Sequence, residues 1–209
     1  MTFSLTEAIR QGADHLEVAV DQVQAERLGS LMEGVMRVNA RINVIGPCSL
    51  EEAVERHLLD SLALLRLADR KPELESWIDV GTGGGFPGLV WAIMRPQMNL
   101  LLVDSIGKKI ALVRKHTLDL GLSNVKVLPA RFEALPEPSE PMGLVSRATF
   151  APSEWLSRAR GFLIKGGAVV ATMGGQPDAE LLTDAMYIER LSLPPSGLER
   201  TNGLWEVRG

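Results

Sequence analysis

The chain has 209 residues, 45% of them apolar and 23% charged, with a formal net charge of -4. That length holds one α/β domain with a modest extension and excludes a second full domain. The negative balance argues against a protein that coats nucleic acid over its whole surface, so contact with a polyanion requires a local basic patch. The single cysteine, Cys48, excludes an intramolecular disulfide framework and any multi-cysteine metal site. No metal is expected, and Cys48, within Gly46-Pro47-Cys48-Ser49, reads as a small loop residue. Apolar runs all fall short of the roughly 18 residues of a membrane span. Glu7, Arg10, Gln11 and Asp14 stand where a signal peptide would be apolar, which points to a cytoplasmic protein.

In chain order, Ser4 to about Arg41 is rich in helix formers, and Ser4-x-x-Glu7 has the spacing of a capping box. Leu28, Leu31, Met32, Val35, Met36 and Val38 recur at three-and-four spacing and form one apolar stripe. Ser49-x-x-Glu52 repeats the box, and the spacing predicts a helix from Ser49 to about Ala68 with Val54, Leu58, Leu59, Leu62, Leu65 and Leu67 on its buried face. The segment Asp69 to Ser76, with Lys71-Pro72, marks a boundary. Residues 1–70 therefore read as an N-terminal helical extension packing on the core, and 71–209 as one compact ligand-binding domain.

Past the boundary, short β-rich runs alternate with helical stretches, the pattern of a parallel sheet with crossover helices. Strands are predicted at 77–80, 100–104, 125–128, 143–146 and 168–172, with helices at 87–94, 108–120 and 152–163. Two late runs, 187–193 and 203–207, fit an antiparallel pair at one end. The fold class is α/β, with a seven-stranded, mostly parallel, Rossmann-like sheet.

The first strand runs into Gly81-Thr82-Gly83-Gly84-Gly85-Phe86-Pro87-Gly88 before a helix whose first residue is expected to be Pro87. Gly81, Gly83 and Gly85 can take positive φ and let a ligand lie on the backbone, while the helix start offers free N–H groups. Glycines alone serve any tight turn. Asp79, two residues before Gly81, adds information: a carboxylate there repels the pyrophosphate of a dinucleotide but attracts an ammonium, directly or through water. That favours S-adenosylmethionine over a nicotinamide dinucleotide. Asp104 ends the second strand about twenty residues past the glycines, where such a fold sets a carboxylate over the adenosine ribose. Ser105 beside it suits a helix start, and a simple helix-capping role for Asp104 is the competing reading. After the third strand, Phe132 is placed to stack on adenine and Glu133 to orient it, against the alternative of a short amphipathic helix with one buried aromatic. Arg147 ends the fourth strand at the ligand-binding edge of the sheet, or is a solvated cap there. His57 reads as an RNA-facing or structural residue, the structural version being a bond to Asp60 one turn away. Lys108, Lys109, Arg114 and Lys115 share one helix and supply either a phosphate-binding patch or a solvated face.

Four segments taken together carry a resemblance: Arg56-His57-Leu58-Leu59-Asp60-Ser61-Leu62, the run Asp79 to Gly88, Asp104-Ser105-Ile106-Gly107-Lys108-Lys109, and Ser146-Arg147-Ala148. Over residues 35 to 175 the chain resembles the ribosomal RNA small-subunit methyltransferase G family, also called glucose-inhibited division protein B. The resemblance implies methyl transfer from S-adenosylmethionine to N7 of a guanine in 16S ribosomal RNA; the substrate is naked RNA or a 30S ribosomal particle, and a monomer is expected. It implies cofactor contacts at Gly81, Phe86, Phe132, Glu133 and Arg147, which join Asp79, Gly83, Gly85, Asp104 and Ser105 from the residue reading. Arg56, His57, Lys108, Lys109 and Arg114 are the RNA candidates. N7 carries no proton, so no general base is expected. The chain departs from the family's pattern twice. Thr172-Met173-Gly174-Gly175 stands where a lysine-glycine pair is usual, and Asn43-Val44-Ile45-Gly46 follows an Asn-Leu-Thr pattern only in part. A methyltransferase of small molecules or proteins is the alternative within the enzyme class, and a cofactor-binding regulatory or ribosome-assembly protein without turnover is the alternative outside it.

Overall fold

A computed structural model describes residues 4–174, 177 and 179–208. The N-terminal third is helical: α1 (Leu5–His15), α2 (Gln22–Ile42), α3 (Leu50–Ala53), a π-helical turn at Val54–Leu59, and α4 (Asp60–Ala68). Side chains written in the sequence fix the helix starts. Ser4 accepts from the Glu7 amide at 3.4 Å, but only this forward half of the expected box forms. Ser49 and Glu52 close theirs in both directions, as do Asp21 and Gln24, a pair the spacing argument overlooked. The helix starting at Leu50 runs through to Ala68 as expected, interrupted by the π turn that carries Arg56 and His57.

Seven strands follow: β1 (Ser76–Val80), β2 (Asn99–Asp104), β3 (Val125–Pro129), β4 (Gly143–Ser146), β5 (Ala168–Met173), β6 (Tyr187–Leu193) and β7 (Leu198–Glu206). Their order across the sheet is β3-β2-β1-β4-β5-β7-β6, with the first five parallel and β7 antiparallel to both its neighbours. The crossovers contain α5 (Gly88–Met94), α6 (Gly107–Asp119), a 3-10 turn (Phe132–Ala134) and α7 (Pro152–Phe162), and a short α8 (Ala179–Leu182) precedes β6. β7 begins five residues earlier than the predicted 203–207 run, because after Leu198 the polar residues Glu199 to Asn202 pair with β6 and give no apolar signal.

Two apolar layers sandwich the sheet. One joins Leu28, Leu58, Leu62, Trp77, Leu89, Val113 and Leu204, so the N-terminal helices and the sheet share a continuous core. The other packs Ile78, Leu144, Val169 and Trp205 against Trp155 and Leu156 of α7. Met173 is 1% exposed within this second layer. A lysine at that position would bury its ammonium among apolar groups, which accounts for an apolar residue there. Gly175 lies outside the described residues. β1 sits where the strand order reverses, with β2 on one side and β4 on the other, the switch point at which open α/β sheets leave a crevice beyond their carboxyl ends.

Candidate functional site

The glycine turn grows from β1 by bonds that its sequence dictates. The amides of Gly81 and Thr82 both donate to the Val103 carbonyl, at 2.8 and 3.0 Å, which ties the turn to the end of β2. Gly81, Gly83 and Gly85 have φ of 73°, 58° and 99°. At Gly81 space is also decisive: a Cβ there would lie 2.0 Å from Thr149 Oγ1, so the approach of the β4 loop requires glycine.

Asp79 is wholly buried beneath this turn. Its Oδ2 accepts from Thr82 Oγ1 at 2.7 Å and from the Gly88 amide at 2.9 Å, while Oδ1 has no hydrogen-bond partner among the described residues. Two expectations change as a result. Asp79 is not on the cavity wall, and its carboxylate holds the turn from beneath instead of facing the cavity. The first amides of α5 are not free either, since Gly88 donates to Asp79 and Leu89 to the Gly85 carbonyl at 2.8 Å, with Pro87 ahead of the helix rather than opening it. Burial pushes the Asp79 carboxyl up to about 6, offset in part by the bonds from Thr82 and Gly88.

Above the turn lies a cavity of about 580 Å³, in the size range of small-ligand pockets. At one end Asp104 closes the floor: Oδ2 accepts from the Gly83 amide at 3.0 Å and Oδ1 from the Ile106 amide at 2.8 Å. It thus ties the glycine turn to the loop that leads into α6, whose first turn has no side-chain cap, and faces the cavity at once. Ser105, Ile106 and Lys109 continue this wall, and Phe132 and Glu133 face it. Phe132 is held by Trp155 and Phe162, with ring centroids 5.7 and 5.0 Å away. Glu133 is ion-paired to Arg158, which also pairs with Glu154 at 2.8 Å.

At the other end the π turn meets the β4 loop. Arg147 Nη1 donates to the Arg56 carbonyl at 2.7 Å and to Asp60 Oδ2 at 3.1 Å, and Nη2 donates to His57 Nδ1 at 2.8 Å. Asp60, 1% exposed, also accepts from Arg200 Nε at 3.0 Å. The His57–Asp60 bond of the structural alternative is therefore absent. Both of these residues turn instead toward Arg147, because the wider π turn presents them side by side. Burial first, and then the cations of Arg147, Arg56 and Arg200, lower the His57 pKa to about 3.

Gly81, Gly83, Phe86, Asp104, Ser105, Phe132, Glu133, Arg147, His57 and Lys109 all line the cavity. Gly85 packs away from it over Leu89, and Arg56, Lys108 and Arg114 lie outside its wall. Arg114 instead donates to the Val127 carbonyl at 3.3 Å. Sequence reasoning missed Arg131, Thr149 and the Val44-Ile45-Gly46 wall. The last had a readable cause: Asn39, one helical turn upstream, accepts from the Val44 and Ile45 amides at 2.9 Å each. Arg200 lies in β7, one residue before Thr201, the partner of Met173, and so brings a cation to the edge where the family pattern leads one to look for a lysine.

Among solved structures, the O-methyltransferase from Bacillus cereus in complex with SAH superposes with TM-score 0.60 over 95% of this chain and 97% of that chain, at 13% identity. A SAM-dependent methyltransferase from Aquifex aeolicus does so with TM-score 0.54 over 84% of this chain and 98% of that one, also at 13% identity. The strand order and the crevice at its switch point are those of the class I methyltransferase fold. At the level of sequence the chain belongs to the family described as rRNA small subunit methyltransferase G, which matches residues 24–197. Its relatives include ribosomal RNA small subunit methyltransferase G of Myxococcus xanthus, 36% identical over 203 residues and covering 90% of this chain and 91% of that protein. The protein of that name from Deinococcus radiodurans is 36% identical over 213 residues, covering 93% of this chain and 82% of its own length.

Proposed function

We propose that this chain transfers the methyl group of S-adenosylmethionine to N7 of a guanine in 16S ribosomal RNA, working as a cytoplasmic monomer on the RNA or the 30S particle. Family membership supports the reaction class. One observation carries the site: a single cavity runs from Asp104 and Phe132, across the Gly81–Gly83 backbone, to Arg147 and His57. The donor set suits a cationic nucleoside. Asp79 Oδ1 is a buried acceptor without a partner among the described residues, a poor neighbour for pyrophosphate and a good one for a ligand bearing positive charge. In this reading Asp104 and Ser105 take the ribose, Phe132 stacks on adenine and Glu133 orients it. Gly81, Gly83, Phe86 and Arg147 border the amino-acid portion, while Asp79 and Gly85 shape the turn.

When bound, the cofactor supplies an electrophilic methyl on a sulfonium. Guanine N7 offers a lone pair and no proton, so the protein's task is positioning and electrostatics. His57, held neutral, is not needed as a base. Arg56, Lys108, Lys109 and Arg114 are assigned to the RNA, with Lys109 on the cavity wall itself.

The test offers tritiated S-adenosylmethionine and 30S particles from cells lacking the protein. Label in deproteinised RNA, mapping to N7 of one guanine, is the expected result. Label confined to protein or small molecules, or no label at all, overturns the proposal.

A further inference from the structure

The contact between Arg147 and His57 fixes more than a distance. A guanidinium has donors and no acceptor, so the ring nitrogen 2.8 Å from Arg147 Nη2 must carry a lone pair. That nitrogen is Nδ1, and a neutral imidazole then holds its one proton on Nε2. The ring is also gripped from the side, with the Phe86 centroid 5.3 Å away. Arg147 is itself held by the Arg56 carbonyl and by the buried carboxylate of Asp60. His57 Nε2 makes no bond within the described residues, and the ring forms part of the cavity wall.

We infer that His57 is a specificity-determining residue: its Nε2–H donates to O6 of the acceptor guanine, in a tautomer fixed by Arg147. This inference rests on the proposed acceptor. Adenine and guanine offer the same nucleophile, N7, and differ beside it, where guanine presents the O6 acceptor and adenine an N6 amino donor. A fixed N–H at that place pairs with O6 and confronts the adenine amino group donor to donor. The loss is then double, a missing bond and a desolvated donor without a partner. Burial, and then the neighbouring guanidinium, also oppose a second proton on the ring, so it stays neutral.

The experiment uses 30S particles from cells lacking the protein, with 16S ribosomal RNA carrying either the mapped guanine or adenine at that position. Single-turnover methylation by the full chain is compared with that of His57→Phe and His57→Gln, and S-adenosylhomocysteine affinity is measured by calorimetry. His57→Phe should slow guanine methylation roughly 10- to 100-fold, the worth of one hydrogen bond in a closed site. It should also lower the guanine-to-adenine rate ratio on the order of 10-fold or more while leaving cofactor affinity within about twofold. His57→Gln, whose Oε1 can accept from Arg147 while its Nε2 donates into the cavity, should recover most of both rate and ratio. An unchanged ratio in His57→Phe overturns the inference, and so does cofactor affinity that falls in step with the rate. Failure of the unsubstituted chain to methylate the guanine particle would instead overturn the proposed reaction, and this reading with it.

Discussion

The two ends of the cavity are built by different means. At the Asp104 end, backbone amides of neighbouring segments do the work: Gly83 and Ile106 reach one carboxylate, and Gly81 and Thr82 reach one carbonyl of β2. At the Arg147 end, side chains far apart in the chain converge, with Asp60 bonded to Arg147 and Arg200 across separations of 87 and 140 residues. The first end is a local consequence of strand, turn and helix. The second exists only once the N-terminal helices, β4 and β7 have all docked, and it depends on buried charge remaining balanced.

That contrast breaks most sharply at Asp60. Removing one member of a buried ion pair leaves its partners desolvated and uncompensated, at a cost of about 3–5 kcal/mol. Asp60→Ala should therefore lower the unfolding free energy in urea by about 3 kcal/mol or more. Loss below 1 kcal/mol would mean that the Arg147 end is held by packing alone.

Asp79 tests the other end through pH. Its folded value of about 6 lies above the unfolded 3.8, so the folded chain binds this proton more tightly. The associated stability is present below pH 3.8 and is lost as pH rises through 6. Asp79→Asn removes the titration and keeps an oxygen for Thr82 and Gly88. Between pH 4 and 7 the wild type should thus lose up to about 3 kcal/mol relative to Asp79→Asn, given about 1.4 kcal/mol per pKa unit. Parallel urea midpoints at the two pH values would show that Asp79 stays ionised, with its cost met elsewhere. A smaller effect belongs to Asp104, whose replacement by Ala should weaken S-adenosylhomocysteine binding about 10- to 100-fold in calorimetry, through loss of charge-assisted bonds. An unchanged affinity would confine Asp104 to holding the turn.

The same contrast explains what the amino-acid order revealed. The glycine turn, Asp104 and the aromatic at Phe132 were legible because each sits at a strand tip whose apolar run announces it. The parallel strands β1, β2, β4 and β5 were legible for the same reason, being largely buried on both faces, whereas β3 at the sheet edge is half-exposed. The π turn was not, since its residues keep helical hydrophobic spacing and differ only in which carbonyl each amide reaches. Nor did spacing foretell that Asp79 would serve the first amide of α5, or that Arg200 would meet Asp60. Asp60 reads as one more polar residue on an amphipathic helix until β7 arrives from the other end of the chain.

The smallest predicted effect separates two parts of one helix. Lys109, in the first turn of α6, is half-buried on the cavity wall, whereas Arg114 is exposed and bonded toward β3. A cation that replaces a phosphate counterion contributes about 0.7 to 0.9 to the slope of log affinity against log salt. Lys109→Ala should reduce that slope for 30S RNA by about this amount, and Arg114→Ala should reduce it by less, both read from filter binding across a salt series. Equal losses would extend the RNA-binding face past the cavity and across the β3 edge. No loss from either would take α6 out of the interface and leave the cation requirement of an acidic chain to Arg131 on the cavity wall, a residue that local order did not single out.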